Sequence, residues 1–260
     1  MYGELQLFPH IRLISSDIPI TADENELEIC CCVSGVCEYQ IANRYYYLTD
    51  DTILTFNGFS DKAFQPLCSS DFCGLFLIID PNCNNEAFSE LFGISDVFWA
   101  NSNNTSVNMS DDRCRDLIEA VLAGTEKSQT SFIRLKILEL FVLLSENGKH
   151  RKINNKVSQI GDLICQNLSD HYTIGKISEM LSINQTTLKN EFKRTYGCGI
   201  YSYAKKRKMF RAAELLIQTD MKIIDIAEEV GYNNASKFAK AFQSVMGTTP
   251  KHFQMDHKNS

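Results

Sequence analysis

Ile177-Ser178-Glu179-Met180-Leu181-Ser182 and Ile226-Ala227-Glu228-Glu229-Val230-Gly231 are degenerate copies of one pattern. Each copy is followed by two apolar anchors four residues apart and then a glycine: Leu188, Phe192 and Gly197 in the first, Phe238, Phe242 and Gly247 in the second. The copies lie 49 residues apart before the tight turn and 50 after it. Each reads as a short helix with one apolar face, a turn, and a second helix fixed by its two anchors. That is the pattern of a helix-turn-helix, whose second helix is presented to a DNA groove.

In the first copy Ile174, Ile177 and Leu181 supply the supporting face and Ile183 fills the turn. Asn184 suits an N-cap, since its side chain accepts an otherwise unsatisfied backbone N–H. In the second copy Ile223, Ile226, Ala227 and Val230 support, and Gly231 permits a left-handed turn. With the anchors turned inward, Thr186, Thr187, Lys189, Asn190, Ser236, Lys237 and Lys240 are left outward as base-reading candidates, with Ala239 between them. Lys193, Arg194, Lys205, Lys206, Arg207 and Asn234 are expected at phosphates, which position a protein without specifying sequence. An outward polar face taken alone is only a solvated one; the tandem pattern is what favours contact. Between the copies, Tyr201 to Gln218 carries Tyr203, Met209, Ala212, Ala213, Leu215 and Leu216 at mostly helical spacing. Such a helix spans roughly 27 Å, against about 34 Å between successive major grooves on one DNA face. The two reading helices can therefore enter neighbouring grooves.

Several further residues recur in a specific order: Phe192-Lys193-Arg194 with Gly197, Tyr203, Lys208-Met209-Phe210-Arg211-Ala212-Ala213-Glu214-Leu215-Leu216, Ile223, Ile226-Ala227, Gly231-Tyr232, Phe238, Ala241-Phe242 and Gly247-Thr248-Thr249-Pro250. Over residues 157–253 this resembles the AraC/XylS family of bacterial transcription regulators. Ser182 where the second copy has Gly, Lys208 where the family usually has Arg, and Phe253-Gln254 where it often has Tyr-Arg are departures; the Lys208 change bears on a phosphate or salt-bridge contact. Asn233 to Phe242 looks most like the branch that contains siderophore-responsive regulators of iron uptake. The resemblance implies double-stranded DNA and RNA polymerase as partners, a homodimer, a small-molecule effector bound in the N-terminal domain, and activation of transcription.

The net charge of −6 conceals a division. Residues 1–150 hold 9 Lys and Arg against 22 Asp and Glu, and residues 151–260 hold 17 against 10. Polyanion binding follows the local field, so the basic C-terminal part remains compatible with DNA. No apolar run is long enough to cross a membrane and no signal peptide is evident at Met1, so a cytoplasmic protein is expected. Up to about residue 100, short apolar or alternating runs at 26–33, 35–42, 45–48, 52–56 and 74–80, broken by turn residues, suggest strands. Helices are expected from Ser110, with Leu117, Ile118, Val121 and Leu122 as its stripe, and over Ser131 to Glu146. The expected architecture is multi-domain α+β: a small N-terminal β-barrel with two helices, then an all-α domain with two helix-turn-helix motifs. Its divisions are a β-rich effector domain over 1–109, a helical dimerisation segment over 110–147, a linker over 148–156 and a DNA-binding domain over 157–260.

Ten cysteines invite other readings. Cys30, Cys31 and Cys32 with Cys37 could form a metal or redox sensor, Cys32 and Cys37 flanking a hairpin. Consecutive strand residues face opposite ways, however, and the run suits buried packing better than a tetrahedral site. Tyr45, Tyr47, Phe56 and Phe64 could line an effector pocket, or simply pack in the barrel. His10 and His150 are too few for a metal-binding barrel. No nucleophile and base, phosphate-cradling glycine loop or carboxylate pair is evident, so no catalytic residue, cofactor or metal is assigned. An enzyme carrying an accessory DNA module ranks behind a regulator and behind a thiol or metal sensor.

Overall fold

The computed structural model describes residues 3–23, 26–41, 44–50, 52–57, 66–80, 106–109, 112–148, 155–169 and 173–258. The chain divides into two compact units: Met1–Ser34, Leu48–Gln65 and Phe72–Lys152 form one, and Gly35–Tyr47, Pro66–Asp71 and Ile153–Ser260 the other.

The first unit is built on a six-stranded antiparallel sheet in the order β1 (Gly3–Phe8), β2 (Ile11–Ser16), β8 (Cys73–Ile79), β3 (Leu27–Ser34), β6 (Thr52–Asn57), β9 (Ser106–Met109). One face places Leu13, Leu27, Ile29, Cys31, Leu75 and Leu77 against α1 (Asp112–Glu126) and α2 (Thr130–Gly148), which return Leu117, Val121, Ile137 and Phe141. Side chains alternate across a strand, so Glu28, Cys30, Leu54, Phe56 and Phe76 lie on the opposite face, where they too are buried. Strand β3 is thus buried on both faces. The cysteine run is explained by this burial, which pushes the Cys31 thiol up to about 12. Between sheet and helices a void of about 10 Å³ is lined by Leu13, Cys31, Leu77, Leu117 and Ile137 among others. It has room for little more than one water and no polar group to hold it.

The expected barrel is corrected in two respects. Among the described residues the sheet is open, ending at β1 and β9. Gly35, at φ 73°, then takes the chain out of β3. The next strands, β4 (Cys37–Ile41), β5 (Arg44–Leu48) and β7 (Leu67–Cys68), form a separate sheet in the order β5-β4-β7. Apart from Leu48, these strands fall in the second unit, whose long segment begins at Ile153, directly after the first unit ends at Lys152. The N-cap expected at Ser110 lies outside the described residues.

The second unit otherwise consists of α3 (Asn155–Gln166), α4 (Ile174–Leu181), α5 (Gln185–Tyr196), α6 (Ile200–Gln218), α7 (Ile223–Glu229), α8 (Ala235–Met246) and α9 (Pro250–Lys258). Its core is aromatic. Tyr196 and Tyr203 have ring centroids 4.7 Å apart, and Phe192 packs on both. Tyr46 lies 5.8 Å from Tyr196, and Tyr47 lies 5.3 Å from Tyr203 and 5.6 Å from Phe210. Tyr196 approaches α3 so closely that a Cβ on Gly161 would collide with its hydroxyl. No helix among the described residues is long and apolar enough to cross a membrane.

Candidate nucleic-acid interface

The two repeat copies form two helix pairs, α4–α5 and α7–α8, with matching turns. In the first, the N–H of Ser182 donates to Glu179 O (3.2 Å) and that of Ile183 to Ser178 O (3.1 Å). In the second, Gly231 N–H donates to Glu228 O (2.9 Å) and Tyr232 N–H to Ala227 O (2.7 Å). These are the paired bonds that close a helix around a left-handed residue. That residue is Ser182 at φ 52° in one copy and Gly231 at φ 81° in the other. All four donors and acceptors are related by the 49-residue offset. The extra residue, Asn233, enters before the next cap and makes the offset 50.

The second helix of each pair begins on an asparagine. Asn184 Oδ1 accepts from Thr186 N–H at 2.8 Å, and Asn234 Oδ1 accepts from Lys237 N–H at 2.9 Å. Leu188, Phe192, Phe238 and Phe242 are fully buried. Helices α5 and α8 both end at a left-handed glycine, Gly197 and Gly247. With both helices fixed by buried anchors, Thr186, Thr187, Lys189, Asn190, Ser236, Lys237 and Lys240 are all exposed, while Ala239 is half-buried. The connector α6 holds 19 residues, an axial length of about 28 Å.

A model of the family described as "Helix-turn-helix domain" matches residues 177–256, from the first supporting helix to the last helix of the chain. The C-terminal region is an AraC-type helix-turn-helix domain. Its relatives include the lactose operon transcription activator of Staphylococcus xylosus, 30% identical over 110 residues, covering 41% of this chain and 39% of that protein. The HTH-type transcriptional regulator ExsA of Pseudomonas aeruginosa is 27% identical over 124 residues, covering 45% of each chain. Among solved structures, the C-terminal domain of AraT, a response regulator from Geobacillus stearothermophilus, is 28% identical with a TM-score of 0.39, covering 41% of this chain and 88% of that one. The chain thus spans less than half the length of the two full-length relatives.

Within the AraC-type domain, the residues expected at phosphates divide. Lys193 and Arg194 are exposed, and Arg194 pairs with Glu191 at 3.1 Å. Lys205 is exposed and donates to Ser244 Oγ, and half-buried Lys206 donates to Ser202 Oγ. Exposed Asn234 has its carbonyl engaged as the cap described above. Arg207 does not fit a phosphate contact. It is 4% exposed, donates to Glu38 at 3.1 and 3.3 Å and to Glu214 at 3.1 Å, and lies 3.9 Å above the Tyr45 ring. A helix rotates about 100° per residue, so four basic residues in a row cannot share one face. Positions 207 and 208 turn inward. Lys208 is buried, with its ammonium 5.7 Å from the Tyr232 ring.

Glu38 is the functional candidate that the sequence left unremarked. Its carboxylate receives the Tyr47 hydroxyl at 2.7 Å as well as Arg207. Burial pushes this carboxyl above its ordinary range, against the pull of Arg207 and the Tyr47 hydroxyl. Burial also works against the Arg207 charge, but Glu38, Tyr47 and Glu214 outweigh it and hold the guanidinium protonated beyond its ordinary range. A single acidic residue inside the apolar run Val36–Tyr39 was the available signal.

Of the residues expected to line an aromatic pocket, Tyr45 and Tyr47 belong to the second unit. Tyr47 is consumed by Glu38, Tyr203 and Phe210, and the Tyr45 carbonyl accepts the Tyr203 hydroxyl at 3.1 Å. Phe56 belongs to the first unit's sheet, and Phe64 lies outside the described residues. The cysteine cluster also divides. Cys30 donates to Glu28 Oε1 at 3.0 Å in the first unit, whereas Cys37 lies in the second and pairs in register with Cys68. Among the described residues no group of three or more His, Cys, Asp or Glu is placed to hold a metal.

Proposed function

We propose that this protein is a sequence-specific DNA-binding regulator of transcription, in which α5 and α8 each enter a major groove and α6 sets their spacing. The observation that carries this reading is the pair of capped helices whose seven outward residues are all exposed while the anchors beneath them are fully buried. Thr186, Thr187, Lys189, Asn190, Ser236, Lys237 and Lys240 read bases; Lys193, Arg194, Lys205, Lys206 and Asn234 contact phosphates. The S. xylosus relative is named as an activator, and activation through RNA polymerase is the corresponding reading here.

A small-molecule effector acts on the β-rich part of the chain and biases the arrangements in which both helix pairs engage DNA. The resemblance to the siderophore-responsive branch makes an iron chelate the first effector to try. Helix α2 leaves Phe132, Leu135 and Val142 exposed at 39%, 66% and 40%; their near-heptad spacing suits the contact of a homodimer.

Genome-wide mapping of bound sites tests the reading, because the motif must span about two helical turns if both pairs engage. On a mapped site, Lys189→Ala and Lys240→Ala are each expected to cost about 1–3 kcal/mol, and a footprint unchanged in both half-sites would overturn the assignment.

A further inference from the structure

Cys37 and Cys68 stand directly opposite one another across the β4–β7 ladder. The phase of the ladder is set by the next pair, where Ser69 N–H donates to Val36 O at 2.8 Å. Val36 and Ser69 therefore occupy the hydrogen-bonded position, the Val36 N–H donating to Ser69 Oγ at 2.9 Å rather than to its carbonyl, and Cys37 with Cys68 occupies a non-hydrogen-bonded one. In such a pair the Cα atoms lie about 4.5 Å apart with both side chains on one face, inside the span of about 4.4–6.8 Å that a disulfide bridges.

The two thiols are not equivalent. Cys68 is half-buried and within reach of a small reagent, whereas Cys37 is sealed at 0% exposure, its sulfur 3.9 Å from the Glu38 carbonyl. This is the asymmetry of an attacking thiol with a protected resolving one. Both strands are also tethered to the helices. From β4, Glu38 holds Arg207 in the middle of α6. Just beyond β7, Ser70 donates its N–H at 3.0 Å and its hydroxyl at 3.2 Å to the Met246 carbonyl at the end of α8. A bond between the strands would therefore tie the tether of α6 to the tether of α8.

We propose that Cys37 and Cys68 form a reversible disulfide that locks β4 to β7 and thereby fixes α6 relative to α8. The oxidant is a low-molecular-weight disulfide. The Cys68 thiolate attacks it and forms a mixed disulfide, expelling one small thiol. The Cys37 thiolate then attacks the Cys68 sulfur and expels the second. The protein gives up two electrons and two protons, and the small disulfide leaves as two thiols. Excess small thiol reverses both steps, as a transient regulatory disulfide in a reducing compartment requires.

The test uses the full chain with oxidised glutathione, peptide mapping without reduction, and amide hydrogen exchange. One cross-link joining Cys37 to Cys68 is expected, reversed by reduced glutathione. Exchange at Val36, Glu38, Tyr39 and Ser70 should slow by about tenfold or more in the oxidised chain. A glutathione adduct that persists on Cys68, a cross-link between another pair of cysteines, or unchanged exchange once 37 and 68 are joined would each overturn the proposal. Cys68→Ser should abolish both the cross-link and the oxidant-dependent slowing; a Cys68→Ser chain that still slows would overturn it too. The reduced and oxidised wild-type chains complete the test should that variant not fold.

Discussion

The two helix pairs reach one geometry with different residues. Their turns make the same backbone bonds, but the left-handed position is a serine in the first pair and a glycine in the second. A side chain in that conformation costs about 1–2 kcal/mol, which glycine avoids. The anchors differ too, Leu188 with Phe192 against Phe238 with Phe242. The backbone bonds that place the second helix are thus the repeated quantity, and side chains vary wherever the same bonds can still be made.

The largest expected effect removes what both pairs share. Arg207→Ala on the connector leaves Glu38 buried without its cation and should lower unfolding free energy by about 3–5 kcal/mol in urea titrations of the full chain. An effect below about 1 kcal/mol would place the ion pair outside the cooperative core. Next come the turns, where the same conformation predicts opposite signs. Gly231→Ala strains a residue at φ 81° and puts a Cβ 2.9 Å from the Ser169 Cα, so a loss of about 1–3 kcal/mol is expected. Ser182→Gly should gain about 0.5–1 kcal/mol. Melting temperatures moving the same way for both would break the equivalence of the turns. The caps should sharpen it: Asn184→Ala and Asn234→Ala each lose one side-chain bond to a helix N–H and should cost about 1 kcal/mol apiece, read as equal shifts in urea midpoint.

The last expected effect lies outside both pairs and is read as a slope against pH rather than as a shift at one pH. Burial raises the Glu28 carboxyl in the first unit to about 7, against hydrogen bonds from the Cys30 thiol and the Ala22 N–H. The folded state therefore holds a proton that the unfolded chain releases at its ordinary carboxylate pKa. The contribution is fully present below that ordinary value and is lost as pH rises through about 7. Glu28→Gln should flatten the fall of melting temperature between about pH 5 and 8, while the turn and cap variants leave that slope unaltered.

The helix pairs were legible because their information is local. A cap, the N–H that donates to it and the anchors all fall within a dozen residues, and the 49-to-50 shift marks the inserted Asn233 directly. The inward turn of Arg207 was less visible, since a basic run reads as one patch until helical rotation is applied to each residue. The allegiance of β4 and β5 was hidden for a different reason. Alternation identifies a strand but not its partner, and Glu38 meets Arg207 across 169 positions of chain. The open edges of the sheet among the described residues were hidden similarly. A strand buried on both faces, as β3 is, has the same apolar pattern in an open covered sheet as in a barrel.

Tyr46 and Tyr47 are synthesised long before the helices they pack on. About 150 residues separate them from Tyr203, so at about 5–20 residues per second a nascent hairpin waits roughly 8–30 s for its aromatic partners. During translation that hairpin is an apolar surface bearing a buried-type carboxylate, with nothing yet made to cover either. A gene fragment beginning at residue 153 would meet the converse problem, producing helices whose aromatic face and Arg207 lack the strands that complete them. The order of synthesis thus leaves the hairpin without its packing partners until the helices of the second unit have been made.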